Sequence, residues 1–242
     1  MEKALVLAAG LGSRIRSVAG DLPKPLLCVA GRPILAHTLS WLAGSGVRQV
    51  WINLHYGAGA IRQTIGDGSA FGLEISYVFE PELLGTAGAL ANIVDVVTEP
   101  MLVVYGDSLV RCDLAGLAKA REAAGAEAAI ALFDRDRHLH TGIAGGRVEL
   151  DGSGQVRAFT EGATGGSSLV NAGVYAVAPS ILALIPTGQA ADFGRDVFPA
   201  MLERGRAVTG WVMDDAGFCL GLDTPQAHAV GTALIAEGKV IL

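Results

Sequence analysis

The sequence predicts one α/β domain built on a Rossmann-like, doubly wound sheet, mixed but mostly parallel, with an antiparallel addition in its second half. The first half alternates short apolar runs with helix-like segments, which is the rhythm of parallel βαβ units. The second half strings strand candidates together across glycine-rich turns, which favours antiparallel pairing. A length of 242 residues and an apolar content of 51% suit a single domain with a large core.

The first half is predicted to alternate between strands and helices throughout. The strands are short apolar runs, and the helices carry apolar residues at helical spacing. The first long helix has a proline at its start and glycines after its end, which are the usual signals at the two termini. The predicted strands are 3–8, 49–54, 73–79, 101–105 and 128–133, and the predicted helices are 33–43, 58–65, 87–97 and 114–124.

The second half is predicted to begin with strands and to end with helices. Strand candidates cover 142–150, 155–161 and 168–177, with turns at 151–152 and 165–166. Helices are predicted at 192–204 and 225–237. Thr224 before Pro225 fits an N-cap followed by proline at the first helical position.

Composition excludes several classes of protein. A net charge of −6 argues against a general nucleic-acid binder, which needs a basic surface. No apolar run reaches the roughly 18 residues of a membrane span, and no basic leader precedes an apolar core. Three widely spaced cysteines, Cys28, Cys112 and Cys219, indicate neither a zinc site nor a disulfide framework. We therefore expect a cytoplasmic protein with reduced thiols and no membrane or nucleic-acid partner.

A flexible, positively charged loop follows the first predicted strand. Gly10 and Gly12 let main-chain N–H groups approach an anion, and Arg14 and Lys24 add positive charge. Prolines on both sides of Lys24 preset an extended geometry there. Because ligands of open α/β sheets bind beyond the carboxyl ends of strands, this loop suits a polyphosphate. The spacing matches neither a Walker A loop nor a dinucleotide fingerprint.

A longer pattern resembles the signature of the sugar-1-phosphate nucleotidylyltransferases, which have a GT-A-like fold. It begins with 7–14, Leu-Ala-Ala-Gly-x-Gly-x-Arg, and 23–26, Pro-Lys-Pro-Leu. Further similar segments follow in the same order along the chain, at Glu80, 84–88, 103–107, 159–161, 170–175 and 223–225. The heptose and mannose 1-phosphate guanylyltransferases and the N-acetylmuramate 1-phosphate uridylyltransferases are the nearest resemblances.

The resemblance implies a reaction and a set of site residues. A sugar 1-phosphate oxygen would attack the α-phosphorus of a nucleoside triphosphate, releasing pyrophosphate, with Mg²⁺ as cofactor. The catalytic residues would be Arg14, beside the departing pyrophosphate, and Lys24, at the α-phosphate. The metal ligands would be Asp107 and Asp223. The nucleotide-binding residues would be Leu7, Ala8, Ala9, Gly10, Leu11, Gly12, Ser13, Glu80, Gly85, Thr86 and Ala87, and the sugar-binding residues would be Gly142, Glu161 and Asn171.

The resemblance also implies a division of the domain into two halves. Residues 1–125 or so would bind the nucleotide and residues 126–242 the sugar. The apolar composition is compatible with a homodimer. The sequence does not distinguish GTP, UTP and CTP as donors, nor does it identify the acceptor.

Two departures from the family keep alternatives open. Glu161 is followed by Gly162 where many relatives carry a lysine that binds the sugar phosphate, so Arg195, Lys24 or the loop 135–140 would have to replace it. Asp223 stands one residue before Thr224, whereas many relatives place the aspartate three residues before, at the position of Gly221. The alternatives are a cytidylyltransferase of the same fold for a non-sugar phosphorylated acceptor, and a catalytically silent nucleotide-binding regulatory subunit.

Overall fold

The computed structural model describes residues 1–143, 145–162 and 166–242. The strands are β1 (Lys3–Leu7), β2 (Cys28–Val29), β3 (Arg32–Pro33), β4 (Gln49–Leu54), β5 (Glu74–Phe79), β6 (Met101–Tyr105), β7 (Ser108–Arg111), β8 (Ala128–Asp134), β9 (Leu139–His140), β10 (Arg147–Leu150), β11 (Val156–Thr160), β12 (Leu169–Val177), β13 (Val208–Val212) and β14 (Phe218–Gly221). The helices are α1 (Arg16–Ala19), α2 (Ile34–Gly44), α3 (Ala58–Ile65), α4 (Gly85–Ala91), α5 (Leu114–Ala123), α6 (Phe198–Glu203) and α7 (Pro225–Ala236).

A parallel group of four strands forms one side of the main sheet, in the order β5-β4-β1-β6. The register pairs Leu7 at the end of β1 with Asn53 of β4 and with Tyr105 of β6. The carboxyl ends of these strands therefore meet at one edge of the sheet. The loops that follow β1 and β6 therefore begin at neighbouring points on that edge.

The antiparallel addition is organised around β12. This strand pairs antiparallel with β6 along one edge and with β8 along the other, and β13 then runs parallel to β8. The hairpin of β10 and β11 joins the start of β12. The predicted mixed α/β fold with an antiparallel addition is confirmed. A separate three-stranded sheet, in the order β7-β14-β9, covers the region beyond the end of β6.

Helices cover both faces of the main sheet, as a doubly wound fold requires. Alternate residues of β1 point to opposite faces. Ala4 and Val6 join the cluster that buries α2, α3 and α5, and Leu5 and Leu7 join the cluster that buries α4 and α6. A third apolar cluster lies around β14 and the last helix.

Several element boundaries differ from the sequence expectation. The helix predicted at 87–97 ends at Ala91, before a run of β-branched residues that lose side-chain freedom in a helix. The helix predicted at 192–204 opens with a π-helical turn and becomes α-helical only at Phe198, where Pro199 lacks the N–H of a regular turn. The strand predicted at 142–150 begins at Arg147, and Ala144 and the predicted turn residue Gly165 lie outside the described residues. The sequence analysis did not predict six strands, each of which is short: β2, β3, β7, β9, β13 and β14.

Two further observations concern the cysteines and the lengths of the helices. Cys112 and Cys219 are buried, Cys28 is exposed, and all three are free. Over the described ranges, no helix combines the length and the apolar character that crossing a bilayer requires.

A close contact between Pro23 and Gly57 orients the segment that carries Lys24. Gly57, the residue before α3, has a φ of 66°, and a Cβ atom there would lie 2.1 Å from Pro23 Cγ. Gly72 has nearly the same backbone angles, but a Cβ atom there would meet nothing within 4 Å. Comparing alanine substitutions at Gly57 and Gly72 therefore separates the cost of the left-handed backbone from the cost of the steric conflict with Pro23.

We expect Gly72→Ala to lower the free energy of unfolding by about 1–2 kcal/mol, the cost of a left-handed backbone for an L residue. Gly57→Ala is expected to cost about 1–3 kcal/mol more, because Pro23 must move as well. Urea unfolding of both variants measures the difference. Equal losses in the two variants would show that Pro23 does not pack against Gly57 as described.

Candidate active site

The loop after β1 is fixed at both ends and open in the middle. At its start, the Ala8 N–H donates a 2.8 Å hydrogen bond to Asn53 Oδ1. At its end, Ile15 is fully buried. Between them, Gly12 has a φ of 59°, and a Cβ atom there would lie 3.1 Å from Lys24 Cβ. Most of the loop between these anchors is exposed, so its main-chain N–H groups can face a ligand.

The Lys24 ammonium lies between two carboxylates that come from remote parts of the chain. Its Nζ donates a 2.8 Å hydrogen bond to Asp107 Oδ2 and a second, short one to Asp223 Oδ1. The Lys24 side chain is only 4% exposed, and both carboxylates remain partly exposed. Arg14 approaches Asp223 from the solvent side, with Nη2 3.6 Å from Oδ2. Two positive and two negative charges therefore meet at the carboxyl edge of the sheet.

The carboxylates keep this buried lysine charged. Burial by itself lowers the pKa of Lys24, but the charges and hydrogen bonds of Asp107 and Asp223 outweigh that effect and raise the pKa above its usual value. A charged ammonium in a site with little water attracts an anionic ligand strongly. The Lys24 ammonium therefore stays charged at neutral pH, within a cluster whose two positive and two negative charges balance.

A first cavity, of about 230 Å³, opens beside the cluster at the ends of β1, β4 and β6. Its wall contains a buried polar chain, in which Asn53 Nδ2 donates to Glu80 Oε1 at 2.8 Å. The other oxygen of Glu80 accepts the N–H of Leu84 at 3.2 Å. Glu80 is fully buried, so it shapes the cavity by holding Asn53 and Leu84 in place. The lining residues are Leu7, Ala9, Gly10, Asn53, Glu80, Leu83, Gly85, Thr86, Tyr105, Asp107 and Asp192.

The start of α4 is docked against the segment before α6. The Ala87 and Gly88 N–H groups both donate to the Ala191 carbonyl, at 2.9 and 3.1 Å. The Thr86 hydroxyl donates to Asp192 Oδ2 at 2.8 Å and accepts the Phe193 N–H at 2.9 Å. A Cβ atom at Gly85 would lie 2.4 Å from the Ala191 carbonyl oxygen, so only glycine fits there.

A second cavity, of about 220 Å³, lies on the other side of Asp107. Asn171 lines it, but both polar atoms of its side chain already bond within the protein, to the Gly173 N–H and the Tyr175 hydroxyl. Glu161 also lines it, and its side chain is exposed. Partial desolvation of the carboxyl group and then the Asp192 carboxylate raise the pKa of Glu161, while Arg195 acts in the opposite direction. The lining residues are Arg14, Tyr105, Asp107, Ser108, Ile143, Gly145, Glu161, Asn171, Ala172, Gly173, Cys219 and Asp223.

The two cavities meet at Tyr105 and Asp107, which line both. Burial raises the pKa of Tyr105 well above its usual value, so its hydroxyl stays neutral. A Cβ atom at Gly173 would lie 2.9 Å from Tyr105 Cγ, which explains the glycine in β12 at that point. The arrangement can hold two ligands whose near ends face each other beside Lys24.

The amino-acid sequence of residues 3–219 matches the family model described as nucleotidyl transferase. The chain belongs to the nucleotidyl transferase family. The match runs from the first strand into β14, so it includes the glycine loop, Lys24 and Asp107 but stops before Asp223.

Two curated members of this family align with most of the chain. Mannose-1-phosphate guanylyltransferase of Mycobacterium tuberculosis is 34% identical over 238 residues, which cover 97% of this chain and 65% of that protein. UTP–glucose-1-phosphate uridylyltransferase of Synechocystis is 31% identical over 218 residues, which cover 84% of this chain and 56% of that protein. The chain therefore spans less than two thirds of the length of these relatives.

The nucleotidyl transferase fold is also recognisable in solved structures. HddC from Yersinia pseudotuberculosis, crystallised with GMP-PN, superposes with a TM-score of 0.78 at 23% identity. The superposition covers 97% of this chain and 100% of that one. At this level of identity, the likeness concerns the fold.

The structure brings most of the residues suggested by the family resemblance together, in different ways. Lys24, Asp107, Asp223 and Arg14 form one cluster. Leu7, Ala9, Gly10, Glu80, Gly85 and Thr86 line the first cavity, and Glu161 and Asn171 line the second. The remaining predicted residues line neither cavity. Ala8, Leu11, Gly12 and Ser13 belong to the loop after β1. Ala87 is fully buried with its N–H already bonded, and Gly142 lines a neighbouring cavity that also includes Arg14 and Asp223.

Three residues of the site were missed or left unresolved by the sequence. Asn53 and Tyr105 were not assigned any role, although Asn53 is the one strongly polar side chain in an otherwise apolar strand end. Asp192 lines the first cavity and also accepts the Gly194 and Arg195 N–H groups at the start of the next helical segment. Gly162 has a φ of 70°, a backbone that disfavours the lysine of many relatives.

The charge of Lys24 gives a prediction for stability against pH. In the wild type the pKa of Lys24 is raised above 10.5, so its contribution to stability is complete below pH 10.5 and is lost as the pH rises from 10.5 through the raised value. Replacing both Asp107 and Asp223 by asparagine leaves burial to act alone, which lowers the pKa of Lys24. The unfolded chain then binds a proton that the folded chain does not, so stability of the variant rises with pH up to about 10.5.

We expect the double variant to lose about 3–5 kcal/mol of unfolding free energy at pH 7, and less at pH 10. Urea unfolding at the two pH values measures both effects. Glu99→Gln is the control, because Glu99 pairs with Lys3 at the surface and its loss should cost below about 1 kcal/mol. A double variant as stable as the wild type at pH 7 would contradict the described cluster.

Proposed function

We propose that the protein transfers a nucleotidyl group from a nucleoside triphosphate to a sugar 1-phosphate. A phosphate oxygen of the acceptor attacks the α-phosphorus, the bond from that phosphorus to the bridging oxygen breaks, and pyrophosphate leaves with the electron pair. No protein nucleophile takes part. Catalysis consists of positioning and of neutralising the charge that develops on the phosphates.

The observation that carries this proposal is the place of Lys24. Its buried ammonium lies beside Asp107, which lines both cavities. A positive charge that can stabilise the reacting phosphate therefore lies where the two bound ligands would meet. A transfer between two small molecules needs such a junction, whereas binding of a single nucleotide needs only one cavity. The family membership supports the same reaction.

In this proposal the first cavity takes the nucleotide. The exposed amides of the loop from Leu11 to Arg14 bind the β- and γ-phosphates, and Arg14 stabilises the departing pyrophosphate. Lys24 contacts the α-phosphate. The base and ribose lie against Ala8, Ala9, Gly85 and Thr86, with Glu80 and Asn53 as positioning residues behind them.

The second cavity takes the acceptor, with its phosphate near Asp107. Glu161 and Asn171 then face the sugar. Nucleotide binding therefore belongs mainly to residues 1–125 and acceptor binding mainly to residues 126–242. The names of the two curated relatives support a mannose or glucose 1-phosphate as acceptor and GTP or UTP as donor.

The carboxylates fit a divalent metal ion of the Mg²⁺ type. Asp107 and Asp223 are hard oxygen ligands that already converge on one cation, the ammonium of Lys24. Within the described ranges, no group of three or more potential protein ligands is found, so phosphate oxygens and water must complete the coordination. Mg²⁺ held there would neutralise the charge of the triphosphate.

A homodimer and a cytoplasmic location stay predictions from the sequence.

We expect Lys24→Met and Asp107→Asn each to lower kcat for pyrophosphate release about 100- to 1,000-fold, the usual loss when one group that stabilises transition-state charge is removed. The assay combines each of the four ribonucleoside triphosphates or dTTP with mannose, glucose and heptose 1-phosphates. Lys3→Met is the matched control. Lys3 pairs with Glu99 at 2.9 Å and lines neither cavity, so its rate should stay within about twofold.

The same assay decides between the proposal and its alternatives. Release that requires one triphosphate and one sugar phosphate, and is lost in both site variants, establishes the transferase. Triphosphate binding without release for any acceptor would instead favour a silent regulatory subunit. Release only with phosphocholine-like acceptors would move the protein to the non-sugar transferases.

Metal removal gives a further prediction. We expect EDTA to abolish pyrophosphate release and added Mg²⁺ to restore it. Asp223→Asn should raise the half-saturating Mg²⁺ concentration at least about 10-fold, the lower end of what even an outer partner of a metal ligand contributes. Mn²⁺ binding in the presence of a triphosphate, followed by electron paramagnetic resonance, gives the same comparison without turnover. Unchanged metal affinity in this variant would exclude Asp223 as a ligand.

A further inference from the structure

A third cavity, of about 320 Å³, lies beyond the acceptor cavity and is lined by basic side chains. We call it the basic pocket. It is formed where β8 ends and where β10 and β12 begin. Its lining residues are Arg135, Asp136, His140, Arg147, Gly166, Ser167 and Ser168. It shares no residue with the two cavities of the proposed reaction.

Positive charge dominates this pocket. Arg147 is only 8% exposed, and its Nη1 donates to the Ser167 carbonyl at 3.2 Å, which holds the guanidinium in place. Arg135 is partly buried and fixed through its main-chain N–H, which donates to the Ser168 carbonyl at 3.1 Å. Within the described ranges, no carboxylate forms an ion pair with Arg135.

The titratable groups around the pocket agree with this excess of positive charge. Burial lowers the pKa of His140, and the charges of Arg135 and Arg147 lower it further. Asp136 is the one carboxylate that lines the pocket, and it is exposed and acts weakly in the opposite direction. Asp134 lies nearby, but its charge interacts with Arg137 and His138. Two guanidiniums around one concave space match the geometry of a carboxylate or a phosphate.

Strand pairing places the basic pocket next to the acceptor cavity. His140 pairs with Cys219, which lines the acceptor cavity, and neighbouring strands are roughly 4.8 Å apart. Arg147 pairs with Val170, the residue before Asn171. Along β12, Gly173 touches Tyr105 at the junction, Asn171 lines the acceptor cavity, and Ser168 lies roughly 10 Å further on at about 3.3 Å per residue. The basic pocket is therefore at the end of the acceptor cavity remote from Lys24.

We propose that the basic pocket binds a second oxyanion, a carboxylate or a phosphate, carried by the acceptor at the end remote from its 1-phosphate. This inference rests on the function proposed above and narrows the acceptor to sugar 1-phosphates with an acidic substituent. One phosphate of such an acceptor lies beside Lys24 and Asp107, and the second anion lies between Arg135 and Arg147.

The test compares three acceptors that differ in one group. They are the hexose 1-phosphate with the highest rate in the panel, its 6-carboxylate and its 6-phosphate. We expect Arg135→Gln to lower kcat/KM for the two acidic acceptors about 10- to 100-fold through KM, the loss expected for one charge-assisted hydrogen bond. The neutral acceptor should stay within about twofold. Arg137→Gln is the matched control, because Arg137 is on the same loop but pairs with Asp215 outside the pocket.

The outcomes separate this inference from the proposed function. Suppose that the neutral acceptor supports pyrophosphate release. If kcat/KM for the acidic acceptors is then no higher than for the neutral one, or does not depend on Arg135, the inference about the basic pocket is wrong and the proposed transferase activity is still supported. If no acceptor supports release, both are wrong. A last arm adds inorganic phosphate to the neutral reaction. If phosphate changes the rate and Arg135→Gln abolishes that change, the basic pocket binds a free anionic effector. The proposal that the anion is carried by the acceptor would then be wrong.

Discussion

The structure depends on the compensation of one buried charge. Lys24 is 4% exposed, and an unpaired ammonium in that position would cost several kcal/mol. Its partners, Asp107 and Asp223, are 83 and 199 residues away in the chain. The loop after β1, the end of β6 and the segment after β14 must therefore be in place together before the lysine is stabilised. The group with the central role in the proposed chemistry is also a group that links the main sheet to the smaller three-stranded sheet.

The sheet supplies the geometry that this compensation requires. The register of β1 with β4 and β6 aligns Leu7, Asn53 and Tyr105 at one edge, so the polar groups that follow these strands start from neighbouring points. Asn53 then joins the loop to Glu80 through hydrogen bonds to the Ala8 N–H and to the Glu80 carboxylate. Because these groups are buried and each has a partner, the side of the site that we propose to bind the nucleotide is held in place before any ligand binds, which is the condition for electrostatic stabilisation without reorganisation.

The sequence predicted best those parts of the structure whose defining residues lie close together in the chain. Lys24 and the glycine loop lie in one contiguous pattern, and the βα alternation of the first half is repeated often enough to be recognised. Asn53 is a single polar residue in an apolar strand, and only the fold brings it to Glu80. Strands β13 and β14 are short, and tertiary pairing with β8 and β7 stabilises them rather than any local preference. Asp192 reaches the first cavity through a contact with Thr86, 106 residues away in the chain, which no local pattern indicates.

The two sides of the site differ in how their charges are balanced, and this difference bears on specificity. Around the first cavity, carboxylates, amides and main-chain groups already bond to one another, so a ligand must fit an existing arrangement. Around the basic pocket, by contrast, Arg135 has no carboxylate partner within the described ranges. Positive charge that the protein does not neutralise lowers the free energy of an anionic ligand most where water is partly excluded. The charge of the basic pocket would therefore favour the proposed acidic acceptor in addition to any fit of its shape.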